Sequence, residues 1–425
     1  MSFSYFSRIK LIHFLICISF LTVSFRNEIA SICFYLAGFF SVIEIVNKKI
    51  NVFKLKNNII IFFVLWFIIE LIGMLYTKNL YFGLKDLESK LLFIIVPLIM
   101  IVNSFYKFNL VKSFRFYVVG ILINFIYLLY NGYLTYNETK IFPRYIEFSN
   151  LMHPTYLSIY YTFAIAILLE FKKKIINNFF LIYFISLSIS FGIIILDSKA
   201  GLISITVVLL FYFIKFIFKL KLWKKIITIL SIIFVLIISI KQFSNSRFSE
   251  IFQDLKTSTQ FDNYNGIYNS TELRIIIWRA SKQVIFDNLI IGTGTGDIKD
   301  ELINQYKKNN FVDGVNMSYN CHSQVLQVLA TFGFVFGGLI IIFFTKIFYD
   351  TFKVKKYFFC LIILIFSINF LFESLLEVKA GVEIFVLFFL VLSMEKEMFE
   401  IELNNFRSIR CKEGFKFLFK KQHLN

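Results

Sequence analysis

Apolar runs of about 15 to 23 residues, separated by short polar joints, set the rhythm of this chain from its start to residue 394. A membrane-spanning helix needs roughly 20 mainly apolar residues. The runs predict twelve spans, near 9–25, 28–46, 58–76, 90–106, 114–131, 152–170, 177–196, 201–220, 224–240, 323–345, 357–373 and 380–394. The first run follows Arg8 and Lys10 but has no small-residue cleavage site after it, so it reads as a retained helix rather than a removed signal. The joints alternate in charge. Lysines and Arg115 gather at 48–56, 107–115, 172–174, 215–225 and 346–356, and the joints between these are near neutral or acidic. By the positive-inside rule both termini are cytoplasmic. The expected fold is therefore an all-α polytopic membrane protein of about twelve transmembrane helices. Its parts are residues 1–240 with helices one to nine, a large periplasmic loop at 241–321, 322–396 with helices ten to twelve, and a cytoplasmic tail at 397–425.

The loop breaks the rhythm. It holds nine Lys/Arg and nine Asp/Glu and is not of low complexity. Within it, ELRIIIWRASKQVIFDNL carries apolar residues at helical spacing, with Arg274 and Trp278 one turn apart on one side. This predicts an amphipathic helix on the outer membrane–water interface. The following GTGTG could suggest a dinucleotide loop, but that motif needs a strand before it and a nucleotide-bearing compartment. A tight turn fits the context better.

Composition agrees: 58% of residues are hydrophobic, with 58 Phe and three Pro. The net charge of +18 would suggest nucleic acid for a soluble protein. Here the basic residues sit in cytoplasmic joints, so the partner is the bilayer and no nucleic acid is expected. The five cysteines form no C-x-x-C and no Cys/His cluster with metal spacing, so no metal site and no cofactor are expected. Cys321 alone lies in the loop, which argues against an internal disulfide there. Glu44, Glu70 and Glu373 lie in or near spans, and the sequence offers them no obvious pairing.

The topology carries four candidate site residues to the outer face. Lys199 stands in the turn LDSKAGL, Arg247 in NSRFSE after the ninth span, Arg274 on the loop helix, and His322 at the mouth of the tenth span. Arg offers a planar fork and Lys a compact charge to phosphate oxygens. His can accept a proton near neutral pH. Taken singly, Lys199 and Arg247 also read as snorkelling residues at span ends, Arg274 as a surface residue and His322 as a helix cap.

Several stretches together resemble the O-antigen ligase family, whose relatives include O-antigen polymerases and protein O-oligosaccharyltransferases. HSQVLQVLATFG, with a His, a small polar residue, nine residues and a Gly, is similar to the family's signature after its large loop; Phe336 departs from the tail of that signature. LRIIIWRASKQVIFDNLIIGTGTG resembles its Arg, Trp and Gly-x-Gly block. LDSKAGL resembles its Ser-Arg-Ala-Gly-Leu turn with Lys199 in place of the usual Arg, and MHPTYLSIY, with His153, resembles a further common stretch. The resemblance implies an inner-membrane, metal-independent glycosyltransferase using a polyprenyl-diphosphate-linked glycan donor. His322 would activate the acceptor hydroxyl, and Arg274, Arg247 and Lys199 would hold the diphosphate. The acceptor would be lipid A–core for a ligase, or a growing glycan for an O-antigen or exopolysaccharide polymerase, with a protein glycosyltransferase third. A lipid-linked glycan flippase or solute transporter would also have about twelve spans. Transporters usually show internal repeats and polar groups at mid-membrane, whereas this chain concentrates its polar groups in one loop.

Overall fold

The computed structural model describes residues 2–25, 28–50, 57–106, 108–218, 220 and 270–392. Among these, the regular structure is helical throughout and no strand occurs. The helices are α1 (Ser2–Thr22), α2 (Ile29–Asn47), α3 (Asn58–Met74), α4 (Leu80–Lys90), α5 (Leu92–Tyr106), α6 (Leu110–Thr139), α7 (Pro154–Glu170), α8 (Lys172–Ile175), α9 (Phe179–Ile195), α10 (Lys199–Ile217), α11 (Ser270–Asp287), α12 (Ile298–Lys308), α13 (Val312–Met317), α14 (Gln324–Phe332), α15 (Gly338–Lys353) and α16 (Tyr357–Phe372), with α17 over residues 379–392. Asn57, Asn79, Asn109, Asn178 and Ser198 cap helix starts by accepting a backbone N–H. The sequence thus sets these boundaries by ordinary N-cap chemistry.

Five helices or joined helices are long and apolar enough to cross a membrane: Ile29–Asn47, Leu80–Tyr106, Leu110–Thr139, Lys199–Ile217 and Gln324–Lys353. Asn58–Met74, Phe179–Ile195 and Tyr357–Phe372 are shorter apolar helices. The expected ninth span, 224–240, the loop before residue 270, and the tail at 397–425 lie outside the described residues. Two spans are longer than the sequence pattern suggested. The run at 90–106 is entered through α4, because the charges at 86 and 90 that look like a joint are bonded to each other. The run at 323–345 continues to Lys353 through a π-helical turn, Gly333–Gly337.

Helices apolar on every side belong in the interior of a bundle. α7 is one, buried from Pro154 to Leu168, and α17 is another, buried from Val382 to Leu392. Around them packs an aromatic core in which Phe385 touches Phe63, Trp66, Phe93, Phe366 and Phe370. Outer helices instead expose large apolar side chains, such as Phe180, Leu187 and Ile194 on α9, which is the surface a bilayer covers.

A second, smaller core joins α11, α12 and α14. Ile276, Ile277, Ala280 and Val284 of α11 pack with Leu302, Tyr306 and Cys321. The apolar stripe expected for the loop helix therefore exists, but it faces protein rather than an open interface. The GTGTG turn holds this unit to the bundle. Thr293 and Gly294 donate to the carbonyls of Ala330 and Thr331, and Thr295 Oγ1 donates to the Glu70 carbonyl at 2.7 Å. Gly292 and Gly294 have φ of +75° and +95°, and a Cβ on Gly292 would lie 2.3 Å from the Thr331 carbonyl oxygen. Glycine is required here by both conformation and close approach.

Candidate functional site

The starts of α7 and α10 lie together, and the start of α14 lies beside the end of α16. Those three starts are capped by His153, Ser198 and Ser323. Ser198 Oγ lies 3.4 Å from Thr155 Oγ1, which joins the first turns of α7 and α10. Gln324 N donates to the Glu373 carbonyl at 3.1 Å, which joins the start of α14 to the end of α16. Helix N-termini carry unsatisfied N–H groups and partial positive charge, so these starts favour an anion.

Glu373 is the hub. It ends α16, its side chain is 8% exposed, and it accepts from two bases at once. Arg274 reaches Oε1 at 2.7 Å and His322 Nδ1 lies 3.3 Å from Oε2. The two bases come from opposite sides of the loop unit, Arg274 from α11 and His322 from the turn before α14. His322 adopts a left-handed backbone, φ +43°, with its N–H held by Asn320 Oδ1 at 3.0 Å. Ser323 N then donates to Ser374 Oγ, and Ser323 Oγ to the Phe370 carbonyl, so two segments fifty residues apart are stitched together. Trp278 donates from Nε1 to the His322 carbonyl, one turn along α11 from Arg274. The expected shared side of Arg274 and Trp278 is observed.

The electrostatics fix the protonation pattern. Burial works to raise the Glu373 pKa, but His322 and Arg274 outweigh it and hold the carboxyl below its usual range. An ionised carboxylate only accepts, so Nδ1 of His322 donates to Glu373 and Nε2 points away from it. His153 is exposed at the start of α7 yet close enough to feel the charges of Glu373, His322 and Arg274; partial desolvation lowers its pKa. The charges of Glu373 and Arg274 also reach Tyr145, which feels Asp197 of the Lys199 turn as well. The turn before α10 thus borders the group. Tyr319 flanks His322, with ring centroids 5.8 Å apart.

Of the four residues expected from sequence, Arg274 and His322 meet on one carboxylate. Lys199 is exposed at the start of α10, beside the group rather than bonded to Glu373. Arg247 lies outside the described residues. Glu44, Glu70 and Glu373, for which the sequence offers no obvious pairing, all find basic partners in the fold. Glu44 bonds Arg8 at 3.0 Å and Glu70 bonds Lys90 at 2.9 Å, because partners distant in sequence share their helix faces. Sequence reasoning missed Glu373 as a site residue. Its signal was present: an acid closing an apolar run on the same side of the membrane as the candidate bases. A cavity of about 300 Å³ near Asn57, Asn58, Asp350 and Lys353 lies at the opposite end and touches none of these groups.

The fold and these groups define a multi-pass helical membrane protein with a histidine–carboxylate–arginine site at one end of its bundle. Residues 184–343 match the family described as O-antigen ligase, so this segment of the chain is similar to that family. No curated protein matches the chain. The matched segment contains Lys199, Arg274 and His322, but ends before Glu373 and begins after His153.

Proposed function

We propose that the protein is a bacterial inner-membrane glycosyltransferase that moves a glycan from a polyprenyl-diphosphate carrier to an acceptor hydroxyl, acting as an O-antigen ligase on lipid A–core. In this reading twelve spans place both termini in the cytoplasm and the 241–321 loop with the site in the periplasm. The observation that carries the proposal is the sharing of Glu373 by His322 and Arg274 beside the N-terminus of α14. It joins a proton acceptor to a surface suited to a diphosphate.

The acceptor hydroxyl would give its proton to His322 Nε2 while its oxygen attacks the anomeric carbon. The bond from that carbon to the phosphate oxygen breaks, and the electron pair leaves with the diphosphate. Glu373 holds the imidazole in the needed tautomer and stabilises the imidazolium as it forms. General-base help of this kind is typically worth about 10²–10⁴-fold. Arg274 spends one terminal nitrogen on Glu373, and its Nε–H is buried with no hydrogen-bond partner among the described residues. The guanidinium therefore has donors to offer a second anion. With Lys199, Arg247 and the helix N-termini, it would stabilise the charge that develops on the leaving group. This scheme uses no metal, and transfer in EDTA is expected to proceed unchanged.

Glycan analysis of a deletion strain tests the assignment. A missing ligase leaves lipid-linked polymer that is never attached. Attachment of single repeat units would instead make the protein a polymerase, and unchanged glycans would remove it from this chemistry.

A further inference from the structure

His153 caps α7 in an unusual way: its Nδ1 accepts the N–H of Thr155 at 3.4 Å, where Ser, Thr, Asp or Asn commonly serve. A neutral imidazole that accepts at Nδ1 carries its proton on Nε2. His322 has the opposite arrangement, with its proton held at Nδ1 by Glu373. The two histidines thus use Nδ1 in opposite ways, His153 to accept a backbone N–H and His322 to donate to a carboxylate. The ring of His153 is set by Tyr145 and Tyr156, with centroids 6.0 and 5.9 Å away. The helix behind it is pinned to the segment after Glu377 by Tyr160, whose hydroxyl donates to the Ala380 carbonyl at 2.7 Å. It is pinned to α10 by the Ser198–Thr155 contact. Asn369, one turn before Glu373, donates to Ser204 of α10 at 2.8 Å and closes the same wall.

We propose that His153 is a second site residue, whose neutral Nε2–H donates a hydrogen bond to the diphosphate of the glycan donor. This rests on the glycosyl-transfer reading above. The leaving diphosphate gains an electron pair when the glycosidic C–O bond breaks and needs no proton, so a neutral donor beside a helix N-terminus suits it. The groups facing His153 are Glu373 at the end of α16, Arg274 on α11, His322 before α14, the Asp197–Lys199 turn, Tyr145 and Tyr156. Partial desolvation, opposed by Glu373 and assisted by His322 and Arg274, lowers its pKa, and acceptance at Nδ1 leaves the proton on Nε2. A similar logic lowers a histidine at a helix N-terminus so that imidazole, not imidazolium, donates.

The test uses the full-length protein in liposomes, with polyprenyl diphosphate as a competing product. His153→Asn keeps a good helix cap but has no donor at the Nε2 position. It should keep its thermal midpoint, lose about 10- to 100-fold in turnover, and show weaker inhibition by polyprenyl diphosphate by a similar factor. The acid limb of the pH–rate profile should stay in place, because His322 takes the proton. His153→Gln, whose amide can donate, should recover part of both effects, and it carries the test alone if the Asn variant does not fold. Wild-type turnover and inhibition in the variant that folds would overturn the proposal, as would an acid limb that moves with His153. His322→Ala run in parallel separates the two claims. If it too transfers at the wild-type rate, the site assignment itself fails; if it is inactive while the His153 variants are normal, only the role of His153 falls.

Discussion

Glu373 and Glu377 leave one short segment, four residues apart, and enter opposite surroundings. Glu373 is one acid between two bases, Arg274 and His322, whose side chains are 23% and 27% exposed. Glu377 belongs to a cluster with one base and three acids: Lys90 lies 2.6 Å from Asp86, 2.9 Å from Glu70 and 3.7 Å from Glu377, with its own side chain 3% exposed. The carboxyls respond in opposite directions. Burial raises both, but the bases beside Glu373 overcome it, whereas Lys90 offsets it only in part at Glu377. Gln324 ties the regions together by donating to Glu377 and accepting from Leu376 N. The difference separates chemistry from support. A base-rich, partly open group can receive an anion and a proton, while an acid-rich, closed one holds the segment that carries the first in register.

Substitutions that break one region and spare the other sharpen this contrast. The largest expected effect is at the open group. His322→Ala should fold and insert normally and lose about 10²- to 10⁴-fold in turnover. Glu373→Gln should lose a similar part of it, because Gln cannot stabilise the imidazolium and leaves Arg274 without its counter-charge. Turnover near wild type in either purified variant would remove the general-base role from this pair.

The closed group should answer in stability instead. Lys90→Met leaves three carboxylates around a vacated charge, and breaking a buried pair from one side typically costs about 3–5 kcal/mol. The expected outcome is a large drop in thermal midpoint in detergent, with activity falling only as the folded fraction falls. The protein that stays folded should keep the wild-type pH–rate profile. A Lys90→Met protein of normal stability but no turnover would place Lys90 with the chemistry and erase the distinction.

These two groups also mark where the sequence could be read and where it could not. Apolar length and lysine-bearing joints suffice to foresee an all-helical membrane bundle, since both reflect local composition. His322 and Arg274 were visible because each sits at a recognisable boundary, a span mouth and an amphipathic helix. Glu373 and Lys90 were not, because their meaning lies in partners far along the chain: Glu373 meets Arg274 across 99 residues and His322 across 51. Lys90 stands at the edge of the apolar run at 90–106, yet its charge is enclosed by Glu70 and Glu377 from two other helical segments. Pairing of this kind is a tertiary fact with no periodicity to announce it.

Within the open group, Arg274 should separate charge from geometry. Arg274→Ala should weaken donor binding or slow turnover by roughly 10- to 100-fold, about the 1.5–3 kcal/mol of a charge-assisted hydrogen bond. Arg274→Lys should restore only part of this, because an ammonium cannot hold Glu373 and a phosphate oxygen with one planar fork. Donor binding and turnover that both stay unchanged in Arg274→Ala would sink its assignment.

The smallest expected effects belong to Lys199, which is exposed at the start of α10 and borders the group through the Asp197 turn. A charge in that position acts through water and contributes less than an enclosed one. Lys199→Arg should keep full transfer, since it keeps the charge and adds a fork. Lys199→Gln should lose a few-fold, in the range of a single partly screened phosphate contact, about 0.3–1 kcal/mol. Lys199→Glu should lose the most of the three by repelling the diphosphate. Raised salt should shrink the spread, because screening weakens attraction and repulsion alike. The measurement is transfer in membranes with matched protein levels at low and high salt. An active Lys199→Glu protein would exclude this turn from the donor site, leaving the diphosphate to Arg274, Arg247 and the helix N-termini.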